Sequence, residues 1–183
     1  MAIVDLTQAQ VFAGIEKFIL TFSCPALTDD GRHVIPGFVN DQSLPPDGGD
    51  FCVYSPIQFL RHGVNVETWR KADDAVDYSE YIESVWQIDC YSTSPVRAMN
   101  RASGLEALVR SEVAVNALQA SHISPLYGEG LTNLSGLLDS GKYVARWQFT
   151  ARFGFWKKYA VEFSYFNAVD VRVVNVDATF PAR

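Results

Sequence analysis

The run from Tyr143 to Phe155 constrains the fold more than any other part of the chain. Tyr143, Ala145, Trp147, Phe149, Ala151, Phe153 and Phe155 point one way, and Arg146, Gln148, Thr150 and Arg152 the other. A period of two kept up this long predicts a strand with one buried, aromatic face and one polar face. Tyr81 to Tyr91 repeats the pattern, with Ile82, Trp86, Ile88 and Cys90 opposed by Glu83, Gln87 and Asp89. Phe51 to Leu60 is strand-like but holds Pro56, which favours an edge position or a bulge. Val169, Val171 and Val173, alternating with Asp170 and Arg172, predict a last strand near residues 168 to 176.

Helical spacing sits elsewhere. Val11, Phe12, Ile15, Phe18, Ile19 and Phe22 predict a helix over about 7 to 22, capped by Asp5 or Thr7 and closed by Pro25. Ser94 followed by Pro95 opens a second helix over about 95 to 118, since Ser can accept an orphan amide bond and Pro costs nothing at the first helical position. Val96, Met99, Leu105, Leu108 and Val109 are expected on its apolar side, and Gly104 is the expected weak point.

Dense turn chemistry fills 23 to 50, with room for one short strand within Arg32 to Asn40, and Asn40 to Asp50 reads as an exposed loop. Residues 67 to 77 read as a hairpin tip or connection. The glycine-rich stretch Ser121 to Lys142 reads as a long, partly packed loop of the kind that binds something or orders against a partner. With 183 residues, one domain over 1–183 is the expectation, with long loops near 23–50 and 121–142. The fold class is α+β: a mainly antiparallel sheet of about four main strands with helices packed on one face. The other face, with Glu83, Gln87, Asp89, Arg146 and Arg152, is polar.

An apolar fraction of 48% supplies a core, while 15 basic against 21 acidic residues argue against a nucleic-acid coat. No apolar run reaches the length of a spanning helix, and the first residues lack a secretory pattern, so a soluble protein of a reducing compartment is expected. Cys24, Cys52 and Cys90 are odd in number and widely spaced, which suits buried thiols better than a disulfide framework or a zinc site.

No catalytic, cofactor-binding or metal site is legible. His33, His62 and His122 fall in separate segments read as loops, without a second ligand at metal spacing. Alternation puts Cys90 on the apolar face, where a thiol is inert. Gly48-Gly49 and Gly128-Glu129-Gly130 lack the strand-then-helix context of a phosphate cradle and read as turns. Asp29-Asp30 and Asp73-Asp74 read as solvated loop charge. Trp156 to Phe166 stands apart, with five aromatics: Trp156, Tyr159, Phe163, Tyr165 and Phe166. The stretch reads either as a further core strand or as a subunit or partner contact, because aromatics are favoured at interface centres.

Three strings carry a family resemblance: Trp86-Gln87-Ile88-Asp89-Cys90-Tyr91, Ile123-Ser124-Pro125-Leu126-Tyr127 and Tyr143-Val144-Ala145-Arg146-Trp147. In this order, with the long helix between the first two, the chain resembles the bacteriophage neck or tail terminator proteins, also called tail completion proteins. The likeness runs from the first helix to the last strand; Ala26 to Asp50 and the aromatic stretch match in character only. It implies a non-enzymatic virion protein, assembled in the host cytoplasm, that forms a homo-oligomeric ring, commonly a hexamer, at the head-proximal end of the tail. The implied partners are other copies of itself, the tail tube protein, the head-to-tail connector or stopper and, where one exists, the tail sheath. DNA would be passing cargo, with no cofactor and no membrane involved. The alternatives are the adjacent connector or stopper ring, and a small intracellular enzyme using Cys90 or a histidine. Ring contacts are expected from 156 to 166 and from the loops at 40 to 50 and 128 to 141.

Overall fold

In the computed structural model, residues 6–28, 32–38, 49–70, 75–137 and 143–162 are described. The elements follow in the order α1 (Gln8–Phe22), β1 (Val34–Pro36), β2 (Phe51–Arg70), β3 (Ala75–Ser92), α2 (Pro95–Val109), α3 (Glu112–Gln119), β4 (Ser124–Asn133), β5 (Gly136–Leu137) and β6 (Tyr143–Glu162). The strands form one sheet in the order β1-β2-β3-β6-β4, with β5 also pairing β6. The pair β1/β2 is parallel and the other pairs are antiparallel. This is the expected α+β architecture with its helices on one face, although the described residues hold six strands rather than about four.

The period-two runs explain the core. On β6, Ala145, Phe149, Ala151 and Phe153 are all fully buried, and across from them β3 buries Trp86, Ile88 and Cys90. Helix α1 lays Val11, Ile15, Phe18 and Ile19 on this surface, with Phe12 edge-on to Trp86 at 4.8 Å between ring centres. Thr7 rather than Asp5 is the cap, in a reciprocal box with Gln10. Pro56 lies beside a register shift in β2, as its missing amide demands.

Several expectations change. The segment read as a loop over 121 to 142 carries β4 and β5: Gly128 and Gly130 lie within β4, and the register shift between Glu129 and Thr132 takes up Gly130 at φ +75°. A strand containing such a bulge loses the regular alternation by which strands are recognised. Residues 67 to 70 and 75 to 77 are strand, so the hairpin is longer than its charges suggested. The second helix does not break at Gly104. It stops at Arg110, and Ser111 caps α3 by accepting the Ala114 amide. Ser94 makes no side-chain cap; its own amide donates to Ser92 Oγ at 3.0 Å. Val96 and Met99 are exposed, and α2 instead buries Ala98, Arg101, Ala102, Leu105 and Val109. Cys24 is exposed, unlike Cys52 and Cys90. His62 lies on β2 rather than in a loop. The predicted strand at 168 to 176 and both acidic pairs lie outside the described residues, as does most of the loop at 40 to 50.

Candidate interaction surface

The distal parts of β2, β3 and β6 form a three-stranded arm, since β3 pairs with β6 without interruption from Ala75 to Ser92 and with β2 as far as Arg70. Register assigns its faces. Ile82, paired with Arg61 and Phe155, faces the helix layer, which puts Phe59, Trp69, Tyr78, Glu80, Lys157 and Tyr159 on that side. His62, Val66, Asp77, Tyr81, Trp156 and Lys158 take the other. The arm is unusually apolar for exposed structure: Val64 is 93% exposed, Trp69 47%, Phe59 45%, Val66 45% and Tyr159 38%. At its base, a cavity of about 250 Å³ opens among Leu6, Val11, Phe59, Trp86, Phe155 and Tyr159. Beyond Tyr54, no described strand pairs with the outer edge of β2. That edge is blunted by Pro56, by a second register shift between His62 and Val66, and by Arg61, His62, Glu67 and Arg70.

The aromatic stretch continues β6 as far as Glu162. Trp156 and Tyr159 therefore do not share a surface. Trp156 packs edge-on against Tyr81 at 5.5 Å, whereas Tyr159 donates its hydroxyl to Glu80 Oε1 at 2.9 Å on the opposite face. Phe163, Tyr165 and Phe166 lie outside the described residues. Val64, Val66 and Trp69 were not singled out by sequence, and Phe59 was read only as part of the strand-like run Phe51 to Leu60. The signal available was the alternation of Val64, Val66 and Thr68, hidden among the charges of Glu67 and Arg70.

The polar sheet face is an ion-pair mesh. Arg146 Nε donates to Asp89 Oδ1 at 2.9 Å, and Gln87 Nε2 donates to Asp89 Oδ2 at 2.7 Å. Arg152 donates to Glu83 Oε1 at 2.8 Å and to Glu129 Oε1 at 3.2 Å, while its guanidinium lies 5.1 Å from the centre of the Tyr127 ring. The hydrogen bond from Arg152 holds the Glu83 carboxyl below its ordinary range, against the opposing effect of desolvation and with help from His62, whose Nε2 is 2.9 Å from Glu83 Oε2. Both arginines of this face are thus occupied by carboxylates of their own chain. At the arm, Asp77 is only 3% exposed and stands 2.6 Å from Lys158 Nζ and 3.1 Å from Arg70 Nε.

Cys90 is fully buried on the apolar face, and contact with the Cys52 thiol together with burial pushes its thiol well up, which disfavours the thiolate a nucleophile needs. His33 offers its carbonyl to the Cys52 amide, and His122 sits in a turn at φ 54°. Among the described residues no three His, Cys, Asp or Glu side chains are grouped to hold a metal ion, and no helix is long and apolar enough to cross a membrane.

No curated protein matches the chain. A family model described as phage neck terminator protein matches residues 9–182, essentially the whole chain. The chain belongs to the phage neck terminator family.

Proposed function

We propose that this neck terminator closes into a homo-oligomeric ring, a hexamer, that caps the tail tube and joins it to the head-to-tail connector. Membership of the family makes the chain a structural component of the virion neck and tail that meets other tail and head proteins. The observation that carries the ring is the arm: Phe59, Trp69 and Tyr159 on its helix side, Val66 on its other face, and Val64 are apolar side chains left exposed by the described residues of their own subunit. Apolar surface concentrated in this way marks a protein contact. An arm on one side of the subunit suits a head-to-tail contact, which closes into a ring when the rotation permits.

The polar face supports the passage of DNA. Phosphate is bound by free Lys and Arg, and here Arg146 and Arg152 are held by Asp89, Glu83 and Glu129. A lumen lined by this face would let the genome slide rather than stick.

Mixing purified protein with isolated tails and imaging them by electron microscopy tests the assignment. Ring density at one end of the tube, with no further tube growth, is the expected result. Density on DNA-filled heads and none on tails would instead make the chain the adjacent connector or stopper.

A further inference from the structure

Cys52 on β2 and Cys90 on β3 are direct cross-strand partners, both fully buried, with their Sγ atoms 3.4 Å apart. The backbone shows which kind of pair they form. The Cys52 amide donates to the carbonyl of His33 at 2.7 Å, on the β1 side, so the backbone polar groups of Cys52 turn away from β3. Cys52 and Cys90 are therefore a non-hydrogen-bonded antiparallel pair, the arrangement that brings side chains closest, with Cα atoms about 4.5 Å apart. That spacing falls within the range of about 4.4 to 6.8 Å that a disulfide accepts. Bond formation would bring the sulfurs to about 2.05 Å apart by side-chain rotation, with the strands left in place.

We propose that Cys52 and Cys90 are an oxidation site: a dithiol that a small peroxide converts into a disulfide across the inner ends of β2 and β3, in the core. One thiolate attacks a peroxide oxygen, the O–O bond breaks, and a sulfenic acid forms as the first water leaves. The second sulfur then displaces the hydroxyl, the S–S bond forms, and a second water leaves. Two thiols and one hydrogen peroxide thus give one disulfide and two waters. Burial and the raised Cys90 thiol make the first step slow, and the adjacent sulfur makes the second fast. A small oxidant suits the site, because both cysteines are fully buried. The site keeps its dithiol in a cell interior, where thiol pools hold cysteines reduced, and closes in a particle exposed to the oxidising exterior. Closure would tie β2 to β3 where the two strands enter the long hairpin.

The test uses full-length Cys24→Ser protein, which removes the exposed thiol. After prolonged treatment with hydrogen peroxide, the expected product labels at no thiol once denatured, yields a Cys52–Cys90 linked peptide lighter by two hydrogen atoms than its two thiol peptides together, and melts at a higher temperature. A reductant should restore both thiols. Cys52→Ala in the same background should show no loss of two hydrogens. The proposal is overturned if both thiols still label on denaturation after an exposed-thiol control has been fully oxidised. It is equally overturned if Cys52 or Cys90 gains oxygen atoms without a cross-link.

Discussion

Arg101 Nη2 lies 3.0 Å from Asp50 Oδ2 and 2.9 Å from the carbonyl oxygen of Pro25, so one fully buried guanidinium ties α2 to the connections on either side of β1. Ser92 Oγ donates to the other Asp50 oxygen at 2.5 Å, adding the end of β3 to the knot. A buried charge is tolerable only while its partner is present. Asp50→Ala should therefore destabilise the fold by about 3 kcal/mol in chemical denaturation, the scale of breaking a buried pair from one side. Arg97→Ala, which removes the half-exposed partner 3.5 Å from the same carboxylate, should cost under about 1 kcal/mol.

The glycines of α2 and β4 predict opposite outcomes. A Cβ at Gly128 would stand 2.9 Å from the Glu106 carbonyl oxygen, a backbone atom that cannot step aside, and Arg110 also donates to the Gly128 carbonyl. Gly128→Ala should prise β4 from α2 and cost about 1 to 3 kcal/mol. Gly104 lies in the interior of α2 with nothing within 4 Å of a Cβ, so Gly104→Ala should stabilise by about 0.5 to 1 kcal/mol. Thermal melts of the two variants, compared with wild type, check both signs.

Acid should loosen the knot at Asp50 and the polar face together. Burial raises the Asp50 carboxyl, but the Ser92 hydroxyl and the Arg101 guanidinium more than offset this, and the net shift is downward from 3.8. Glu83 is lowered from 4.5, chiefly by Arg152. A carboxyl whose folded value lies below its unfolded value contributes fully above the unfolded value and loses that contribution as pH falls through the folded one. Stability to urea should thus be insensitive to these groups above about pH 5 and fall progressively from about pH 4.5 downward. Glu83→Gln should flatten the upper part of that decline.

Much of the fold was legible because its two central strands are amphipathic over their whole inner length. On the side facing the helices β3 buries Ile82, Ser84, Trp86, Ile88 and Cys90 and β6 buries Ala145, Phe149, Ala151, Phe153 and Phe155, and α1 buries a helical stripe. What escaped was structure set by tertiary contact. β4 has no alternation, because Gly130 and its register shift break the pattern and α2 and Arg110 hold its outer side. On α2, Leu105 and Val109 are buried as their spacing predicts, but the first half of the buried face is made of Ala98, Arg101 and Ala102, small or charged residues that a hydrophobic count passes over, while Val96 and Met99 are exposed. Of the aromatic stretch, Trp156 and Tyr159 prove to be strand residues on opposite faces, three positions apart on a strand whose side chains alternate. The apolar side chains of the outer half of β2 were overlooked because their neighbours are charged.

The arm carries a prediction of its own. Trp69→Ser and Tyr159→Ser remove large exposed side chains, so each should leave the subunit folded, with circular dichroism and melting close to wild type. Both should weaken self-association and tail capping, because aromatic anchors carry a disproportionate share of interface energy. Variants that fold and still cap tails at wild-type efficiency would remove these residues from the interface.

The central claim is closure into a ring, and native mass measured over a wide range of protein concentration tests it most directly. A discrete species near six times the subunit mass of 20.4 kDa, with no larger open polymer, is the predicted result. A stable dimer that persists across the range would contradict it, because a closed two-fold pair hides the surface a ring needs.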